Sequence, residues 1–460
     1  MNASTGSSRP PTRGGARGRR AVADSPRALA YDTLAAVTRD DAYANLVLPR
    51  LLAQHGTTGR DAAFATELAY GTLRRRGSLD AVVAAASGRD VSAVDPPVLD
   101  VLRLGAYQLL HTRVARHAAV DTTVSQARRV CGHRVSGFVN AVMRKISTRG
   151  WSNWLRHLST GDEIADLALE HAHPEWIVRA FAEALGGREE LPEALAADNA
   201  APAVHLCARP GFAERGALAD SVDGAPGKWS PHTVYMSGGD PADVPAVRQG
   251  RAHVQDEGSQ LVAAIAAAAP VSGEDTRWLD LCAGPGGKAA LLGALAARRG
   301  AHVTAVEVSR RRADLTRKST AGLPVTTLNI DGREHAPREL YDRVLVDAPC
   351  SGLGALRRRP EARWRRSEAD VVGLVSLQHE LLAAALRLTR PGGVVAYATC
   401  SPVLAETSEV VDAATGVSRV DVRDFLPSGM PYLGDGPAVQ LWPHRHGTDA
   451  MFLTLIRRVS

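Results

Sequence analysis

The sequence predicts a multidomain protein with an all-helical amino-terminal domain, a small α+β connecting domain and a carboxyl-terminal α/β domain of the doubly wound, Rossmann-like type. Three observations predict this organisation. The chain has 460 residues, more than one hydrophobic core usually supports. Apolar residues recur at helical spacing in the first third of the chain. From Trp278 onward, short apolar runs alternate with helical patterns.

The composition is that of a globular protein in a reducing compartment. Hydrophobic residues make up 45% and charged residues 23% of the chain, and the long apolar run at residues 261–271 is too short to span a bilayer. The five cysteines are odd in number and widely spaced, without a C-x-x-C pair, so neither a disulfide framework nor a zinc site is expected. We expect a cytoplasmic monomer with no metal and no membrane segment.

Residues 1–25 form an Arg/Gly-rich leader that we expect to be disordered, because its composition cannot bury enough surface to fold. It has no apolar segment and is therefore not a secretory signal. Its arginines supply most of the formal net charge of +6. Two interpretations stay open, a leader without a function and a weak phosphate contact that ignores sequence. The arginines are Arg9, Arg13, Arg17, Arg19 and Arg20.

The sequence predicts a helical domain over residues 26–150. Ser25 followed by Pro26 is a typical helix start, and similar apolar stripes recur to the end of the segment. It contains no acid/base or metal-binding group of residues, so composition alone indicates a binding or scaffold module. The stripes are Ala30, Leu34 and Val37, then Val98, Val101, Gly105 and Leu109, then Val139, Val142, Met143 and Ile146.

Two strings in this domain, RDAAFATELAYGTLRRRGSLD at residues 60–80 and GFVNAVMRK at 137–145, resemble the RNA-binding domain of the NusB transcription antitermination factor family. The resemblance covers most of residues 26–150 and implies an RNA-binding domain. The three arginines at 74–76 could contact phosphate there, although a short charge run is more often a solvated face. Residues 151–250 carry no clear motif and read as a small connecting domain that ends in a Gly/Pro-rich linker at 238–245.

The sequence predicts that residues 251–460 form the α/β domain. Its alternation of strands and helices predicts a sheet that is parallel in the main and covered by helices on both faces, with ligands at the carboxyl ends of the strands. The predicted strands are 278–281, 301–307, 324–329, 343–347 and 394–399, and the predicted helices are 288–299, 310–320 and 367–389.

The first strand runs into LDLCAGPGGKAA at residues 279–290, whose glycines Gly284, Gly286 and Gly287 let the backbone approach a ligand closely before a helix begins. The string matches neither the dinucleotide fingerprint nor the P-loop, which disfavours a dehydrogenase or an NTPase. Glu307 ends the second strand, where an acid can bind both hydroxyls of a ribose. Asp331 follows the third strand, where a carboxylate would suit an adenine amino group.

Two cysteines follow adjacent strands, in DAPCSGLGALRRRPEARW at residues 347–364 and YATCSP at 397–402. Two cysteines at neighbouring strand ends favour nucleophilic chemistry over packing. Methylation of cytosine C5 is a reaction of this kind, because C5 is too poor a nucleophile to accept a methyl group until a thiolate has added to C6. Asp347 is placed to hydrogen-bond the base at N3 and the exocyclic amine. The arginines that follow predict a contact with the phosphate backbone. They are Arg357, Arg358, Arg359, Arg363, Arg365 and Arg366.

The motifs CAGPGGK, DAPCSGLG, YATCS and LWPHRHGTDAMF resemble those of the bacterial 16S ribosomal RNA cytosine-5 methyltransferase B family (RsmB, also Sun or Fmu), over residues 26–460. The resemblance implies S-adenosylmethionine as cofactor, Cys400 as the nucleophile and Cys350 as the group that assists release of the methylated RNA. Gly284, where Ala is more common, and Pro402, where Val is common, depart from the family pattern. The implied cofactor contacts are Cys282, Ala283, Gly284, Pro285, Gly286, Gly287, Lys288, Glu307, Asp331 and Asp347.

Two other functions remain open at the sequence level. The chain could be an RNA-binding or assembly factor whose methyltransferase domain is idle, although intact Asp347, Cys350 and Cys400 argue against this. It could also methylate transfer RNA, since the surfaces that read RNA shape are not visible in a sequence. The target nucleotide and the choice between free 16S RNA and a partial ribosomal particle are likewise undetermined by the sequence.

Overall fold

A computed structural model describes residues 26–459 of the chain. These residues form two compact units. The first ends at His173 and also includes Arg359–Glu361, and the second comprises Pro174–Arg358 and the chain from Ala362 onward. The expected leader, with its arginines, and the Ser25 cap lie outside the described residues.

The first unit is helical, as predicted for residues 26–150. The predicted apolar stripes supply its core: Leu34 and Val37 of the first helix, Val101 of the fifth and Val139 of the seventh are all buried in one cluster. The helices are α1 (Pro26–Arg39), α2 (Ala44–His55), α3 (Gly59–Arg74), α4 (Arg76–Ser87), α5 (Pro96–His111), α6 (Arg116–Cys131) and α7 (Ser136–Ser147).

Two further helices, α8 (Trp151–Leu158) and α9 (Glu163–His171), belong to the same unit. The indole of Trp154 is fully buried and donates to the carbonyl of Ile146 at 3.1 Å, so α8 closes the core after α7. The first compact unit therefore continues past residue 150. The domain bounds at residues 150 and 250 stay predictions about the modules of the chain.

The arginine run at 74–76 is not the solvated face that such runs usually form. The Arg74 side chain is buried, and its guanidinium lies 5.6 Å from the centre of the Tyr70 ring. Arg75 donates to the carbonyl of Glu170 at 2.8 Å. These two arginines therefore take part in the packing of their own unit.

The second unit begins with α10 (Glu175–Leu185) and α11 (Leu191–Ala197), followed by a four-stranded antiparallel sheet in the order β2-β3-β1-β4. The stretch at 238–245, expected to be a linker, connects β3 to β4 inside this sheet and is therefore not a linker between domains. The elements are β1 (His205–Ala208), α12 (Arg215–Asp220), β2 (Ala225–Pro226), β3 (Thr233–Tyr235), α13 (Pro245–Arg248) and β4 (Ala252–Val254).

The main sheet of this unit has the order β10-β12-β9-β8-β5-β6-β7, with β11 paired to β12. Strands β5 to β9 run parallel, which confirms the predicted doubly wound arrangement. The last three strands add an antiparallel edge that the sequence reading missed. The strands are β5 (Arg277–Asp280), β6 (His302–Val306), β7 (Val325–Leu328), β8 (Tyr341–Asp347), β9 (Thr389–Thr399), β10 (Val417–Val420), β11 (Val439–Gln440) and β12 (Phe452–Arg458).

Helices cover both faces of this sheet, as predicted. Trp278 of β5 packs in a cluster with residues of α14 and α15, whereas its neighbour Leu279 packs in another cluster with residues of α17. Alternate strand residues thus face opposite cores. The helices are α14 (Glu257–Ala268), α15 (Gly287–Ala297), α16 (Arg310–Ser319), α17 (Glu368–Leu388), α18 (Ser408–Asp412) and α19 (Pro443–His446).

Within residues 26–459, one helix, α17, is long and apolar enough to cross a membrane by length and composition alone. In the structure it lies on the sheet, where Leu381, Leu382 and Ala385 are buried against residues of β8 and β9. A core helix of an α/β domain passes the same test, so this feature is weak evidence for a membrane segment.

Candidate active site

The carboxyl ends of β5, β6, β8 and β9 meet at one edge of the main sheet. Asp280 at the end of β5 pairs with Ala305 of β6 and Leu345 of β8, and Asp347 at the end of β8 pairs with Ala398 of β9. The segments that leave these strands therefore start side by side. They carry the residues that the sequence predicted for the site.

The glycine-rich loop connects β5 to α15 along this edge. The Ala283 N–H donates to the carbonyl of Val306 at 2.9 Å, which ties the loop to the end of β6. Gly286 has a φ of 95°, and a Cβ at this position would lie 2.8 Å from the Cα of Thr316, so only glycine fits. Helix α15 begins at Gly287, and its first backbone N–H groups have no partner within the helix, an arrangement suited to an anionic group.

Helix α16 holds the loop from the other side. Thr316 Oγ1 donates to the carbonyl of Gly284 at 2.7 Å, and Ser319 Oγ donates to the carbonyl of Pro285 at 3.1 Å. Gly284 itself has a φ of 55°, a conformation that a glycine adopts without the strain that an alanine would carry. Sequence reasoning missed Thr316 and Ser319 because a Thr and a Ser three residues apart on a helix carry no signal of a distant partner.

Lys288, in the first turn of α15, connects the glycine-rich loop to the first cysteine motif. Its Nζ lies 2.7 Å from Asp347 Oδ2 and 3.3 Å from Ser259 Oγ. Burial acts to lower the pKa of Lys288, but the charge and hydrogen bond of Asp347 outweigh burial, and the pKa lies above its usual value. The ammonium therefore stays charged beside Asp347.

Cys282, Glu307 and Asp331 line one cavity of about 150 Å³ at this edge. Leu377 and Leu381 of α17 give it an apolar wall. A cavity with an apolar wall on one side and two acids on the other suits a flat heterocycle attached to a sugar. Glu307 and Asp331, both predicted to contact the cofactor, therefore line the same cavity, and their binding role stays a prediction.

The two acids of the cavity differ in their hydrogen bonds. Glu307 Oε1 accepts from the Ser309 N–H at 2.7 Å and from the Arg312 guanidinium at 2.7 and 2.9 Å. No donor among the described residues reaches Oε2, so this oxygen is available to ligand hydroxyls. Asp331 caps a short helical turn and pairs with the Arg333 guanidinium at 2.6 Å, so a ligand would share that carboxylate with an arginine.

Cys350 and Cys400 lie together beyond the ends of β8 and β9, with their Sγ atoms 3.4 Å apart. Each thiol is only partly buried. The hydrogen bond between the two thiols lowers the pKa of Cys400, whereas that bond and burial raise the pKa of Cys350. Cys400 is therefore the thiol that more readily becomes a thiolate, and the thiolate is the nucleophilic form.

Asp280 lies in the glycine-rich motif at residues 279–290 and was not predicted to be a site residue. It is fully buried, and burial together with the nearby charge of Asp347 raises its pKa to about 7. The sequence signal that could have identified Asp280 as a site residue is its position, since it is the last residue of the strand that enters the glycine-rich loop.

Within residues 26–459, no group of three His, Cys, Asp or Glu residues is arranged to hold a metal ion.

The prediction that the arginines after Cys350 contact the phosphate backbone is wrong for three of the six. Arg357 and Arg358 form an internal ion cluster with two buried carboxylates, Asp256 and Asp449, at distances between 2.7 and 3.0 Å. Arg363 is fully buried. A buried carboxylate is costly unless charged or hydrogen-bonding partners compensate it, and Arg357 and Arg358 supply the partners of Asp256 and Asp449. Asp449 lies in the closing motif at 441–452, and its ion pairs give that motif a structural role.

Known proteins resemble both parts of the chain. The sequence profile of the family described as "16S rRNA methyltransferase RsmB/F" matches residues 267–457, and that of the NusB family matches residues 24–148. A Mycobacterium tuberculosis protein named "Putative methyltransferase Rv1407" is 57% identical over 449 residues, covering 96% of this chain and 98% of the relative. The Bacillus subtilis "Probable ribosomal RNA small subunit methyltransferase B" is 30% identical, covering 94% of this chain and 99% of the relative.

Solved structures share the fold. The protein PH0851 matches with a TM-score of 0.78 at 22% identity, covering 94% of this chain and 98% of the other. NSun6 from Pyrococcus horikoshii, solved with SFG, matches with a TM-score of 0.53 at 17% identity, covering 62% of this chain and 98% of the other. The whole-length identity to the relatives and the profile match together show that the chain is an S-adenosylmethionine-dependent RNA methyltransferase of the 16S rRNA methyltransferase RsmB/F family, with a NusB domain at its amino terminus.

Proposed function

We propose that this enzyme methylates C5 of a cytosine in 16S ribosomal RNA in the cytoplasm and uses Cys400 as a covalent nucleophile. One observation carries the chemistry: two thiols in contact, the lower-pKa one at Cys400, lie at the sheet edge that also holds the glycine-rich loop. The ribosomal substrate is supported by the relatives named as small subunit methyltransferases B and by the NusB domain.

The residues at this edge fit S-adenosylmethionine. In the cavity, no described residue donates to the second oxygen of Glu307, and the first backbone N–H groups of α15 have no partner within the helix. When bound, S-adenosylmethionine supplies an electrophilic methyl group. The residues proposed to hold it are Cys282, Ala283, Gly284, Pro285, Gly286, Gly287, Lys288, Glu307, Asp331 and Asp347.

The proposed reaction begins when the Cys400 thiolate adds to C6 of cytosine. The sulfur–carbon bond forms, the electron pair of the C5–C6 double bond moves to C5, and C5 becomes able to accept a methyl group. Asp347 would accept a hydrogen bond from the exocyclic amine of the base and orient the ring for attack. Its carboxylate is held by Lys288 at 2.7 Å, which fixes its direction before the base arrives.

Release is an elimination that follows methylation at C5. A base takes the C5 proton, the electron pair of the broken C5–H bond restores the C5–C6 double bond, and the sulfur–carbon bond breaks to return Cys400 as a thiolate. We propose that Cys350, whose thiol contacts the same sulfur, assists this release. An assembly factor with an idle methyltransferase domain would have no need for two thiols in contact at the cofactor edge.

The test is to incubate the purified enzyme with S-adenosylmethionine and 16S RNA from a strain that lacks the gene, and to map new 5-methylcytosine by bisulfite sequencing. We expect one modified position in wild type and none with Cys400→Ala, which should still bind S-adenosylmethionine in calorimetry. Cys131→Ala is the matched control, because Cys131 is also partly buried but lies in the first unit.

Two outcomes would contradict the proposal. Substantial methylation by Cys400→Ala would remove Cys400 as the nucleophile. Modification of transfer RNA, with none of 16S RNA, would replace the proposed substrate and leave the chemistry in place.

A further inference from the structure

Glu406 is a buried carboxylate that binds both cysteine segments at once. Its Oε1 accepts from the backbone N–H of Ser351 at 2.7 Å, and its Oε2 accepts from the hydroxyls of Ser351 and of Ser401, the latter at 2.6 Å. These serines directly follow Cys350 and Cys400 in the chain. One side chain therefore holds both cysteine segments through the residues next to the thiols.

The carboxylate is itself fixed from two further directions. Gln378 Nε2 of α17 donates to Glu406 Oε1 at 3.2 Å and to the carbonyl of Pro349 at 2.8 Å. The hydroxyl of Tyr397 donates to the backbone carbonyl of Glu406 at 3.0 Å. The Glu406 side chain is fully buried, and a buried carboxylate persists only where several donors reach it.

Sheet pairing alone does not set the spacing of the thiols. The last register pair between β8 and β9 joins Asp347 to Ala398, and both cysteines lie beyond it. Their segments also meet where the Gly354 N–H donates to the carbonyl of Cys400 at 2.9 Å. Glu406 adds the link that joins the residues immediately next to the two thiols.

We propose that Glu406 is a positioning residue that holds the two thiols at the spacing needed for release of the methylated RNA. This inference rests on the proposed function, because it assumes that Cys400 forms the adduct and that Cys350 assists its breakdown. Glu406 touches neither the base nor the cofactor in this role. It acts through Ser351 and Ser401 on the sulfur atoms.

The first test measures the spacing of the thiols without any RNA. Dibromobimane becomes fluorescent when it alkylates two neighbouring thiols, and peptide mass spectrometry identifies the bridged pair. We expect a Cys350–Cys400 bridge in wild type and in Glu406→Ala a yield at least about tenfold lower. Glu406→Gln keeps the shape and half of the acceptor capacity, and should give an intermediate yield. Glu409→Gln, an exposed glutamate three positions on, is the matched control.

The second test measures turnover. A misplacement of about 1 Å can cost about 100-fold in rate, so we expect kcat to fall about 100-fold in Glu406→Ala and less in Glu406→Gln. KM for S-adenosylmethionine should not change. Because adduct formation needs Cys400 alone, covalent protein–RNA complex should accumulate in both variants, whereas simple loss of folded protein would lower the complex and the activity together.

The proposal is overturned if both Glu406 variants bridge their thiols as wild type does. It is also overturned if their activity falls only in proportion to the folded fraction seen by circular dichroism, without extra covalent complex. If bridging depends on Glu406 but wild type methylates no RNA, the proposed function fails while the spacing role of Glu406 stands.

Discussion

Lys288 and Asp347 form an ion pair, 2.7 Å from Nζ to Oδ2, that joins the start of α15 to the end of β8. The pair connects the loop proposed to bind the cofactor to the motif that carries Cys350. Asp280, fully buried, lies close enough to both side chains that their charges act on its pKa in opposite directions. The lysine is therefore the cation that allows acids to share this edge.

Lys288→Met should destabilise the protein, because it leaves Asp347 near a second acid without its cation. We expect the free energy of unfolding to fall by about 2 kcal/mol, less than for a fully buried pair because Asp347 is partly exposed. Adding Asp347→Asn should recover at least half of the loss, since it removes the unpaired charge. Urea unfolding at neutral pH measures both, with exposed Lys318→Met as the control. A Lys288→Met protein as stable as wild type would contradict the prediction.

Cys350→Ala should shift the reactivity of Cys400 to higher pH. In the structure, the hydrogen bond with Cys350 is the largest cause of the lowered pKa of Cys400, so its removal raises that pKa and reduces the thiolate fraction at a given pH. Cys350→Ser keeps a donor and should lie closer to wild type. Iodoacetamide alkylation followed by peptide mass spectrometry gives the rate at Cys400 against pH. Superimposable profiles for wild type and Cys350→Ala would show that the thiol contact has no electrostatic effect.

The sequence predicted the parallel sheet and the edge where the site lies, because strand periodicity and glycine-rich turns are local signals. Cys350 and Cys400 could be assigned to one edge because each follows a strand of the predicted sheet. Their 3.4 Å contact could not be predicted, since it depends on how two segments pack after their strands end.

The arginines after Cys350 show where a local sequence pattern leads to a wrong prediction. A run of like charge is normally a solvated or phosphate-binding surface, and nothing local indicates that Arg357 and Arg358 pair with Asp256 and Asp449. Those partners are distant in the chain, at the start of α14 and before β12. Only the tertiary fold brings them together, and the same holds for the bond between Glu406 and Ser351.

Cys350→Ala should also trap a covalent protein–RNA complex if Cys350 assists release. Adduct formation at Cys400 does not need the second thiol, whereas breakdown does, so the complex should accumulate in the presence of S-adenosylmethionine. Denaturing gels with labelled 16S RNA would show a slowly migrating band that is absent in the Cys350→Ala, Cys400→Ala double variant. The absence of this band from the single variant would remove Cys350 from the release step or exchange the roles of the two cysteines.

Asp280→Asn should change how stability depends on pH. The folded pKa of Asp280 is about 7, above the ordinary value of 3.8. Its contribution to stability is therefore fully present below about pH 4 and is lost as pH rises through 7. Urea unfolding should be measured at a pH near 5 and a pH near 8. The free energy of unfolding of Asp280→Asn, relative to that of wild type, should be greater at the higher pH. A constant difference between the two proteins would mean that Asp280 is ionised throughout.

Gly354→Ala should displace Cys400 by steric contact alone. The Gly354 N–H donates to the carbonyl of Cys400 at 2.9 Å, and its carbonyl accepts from the Ala450 N–H at 2.8 Å. A Cβ on Gly354 would lie 2.0 Å from the Ala450 carbonyl oxygen and 2.9 Å from the Cys400 carbonyl carbon. Both contacts are with backbone, which cannot rotate away, so one of the two segments must move.

We expect Gly354→Ala to lower the free energy of unfolding by about 2 to 3 kcal/mol, typical of forced overpacking, and to reduce methylation far more than its folded fraction explains. Gly373→Ala is the control, because a Cβ there meets no atom within 4 Å and alanine favours the surrounding helix α17 by about 0.5 to 1 kcal/mol. Urea unfolding and the rate of methyl transfer to 16S RNA measure the two effects. If Gly354→Ala transfers methyl groups at the wild-type rate, the position of the Cys400 backbone does not limit the reaction.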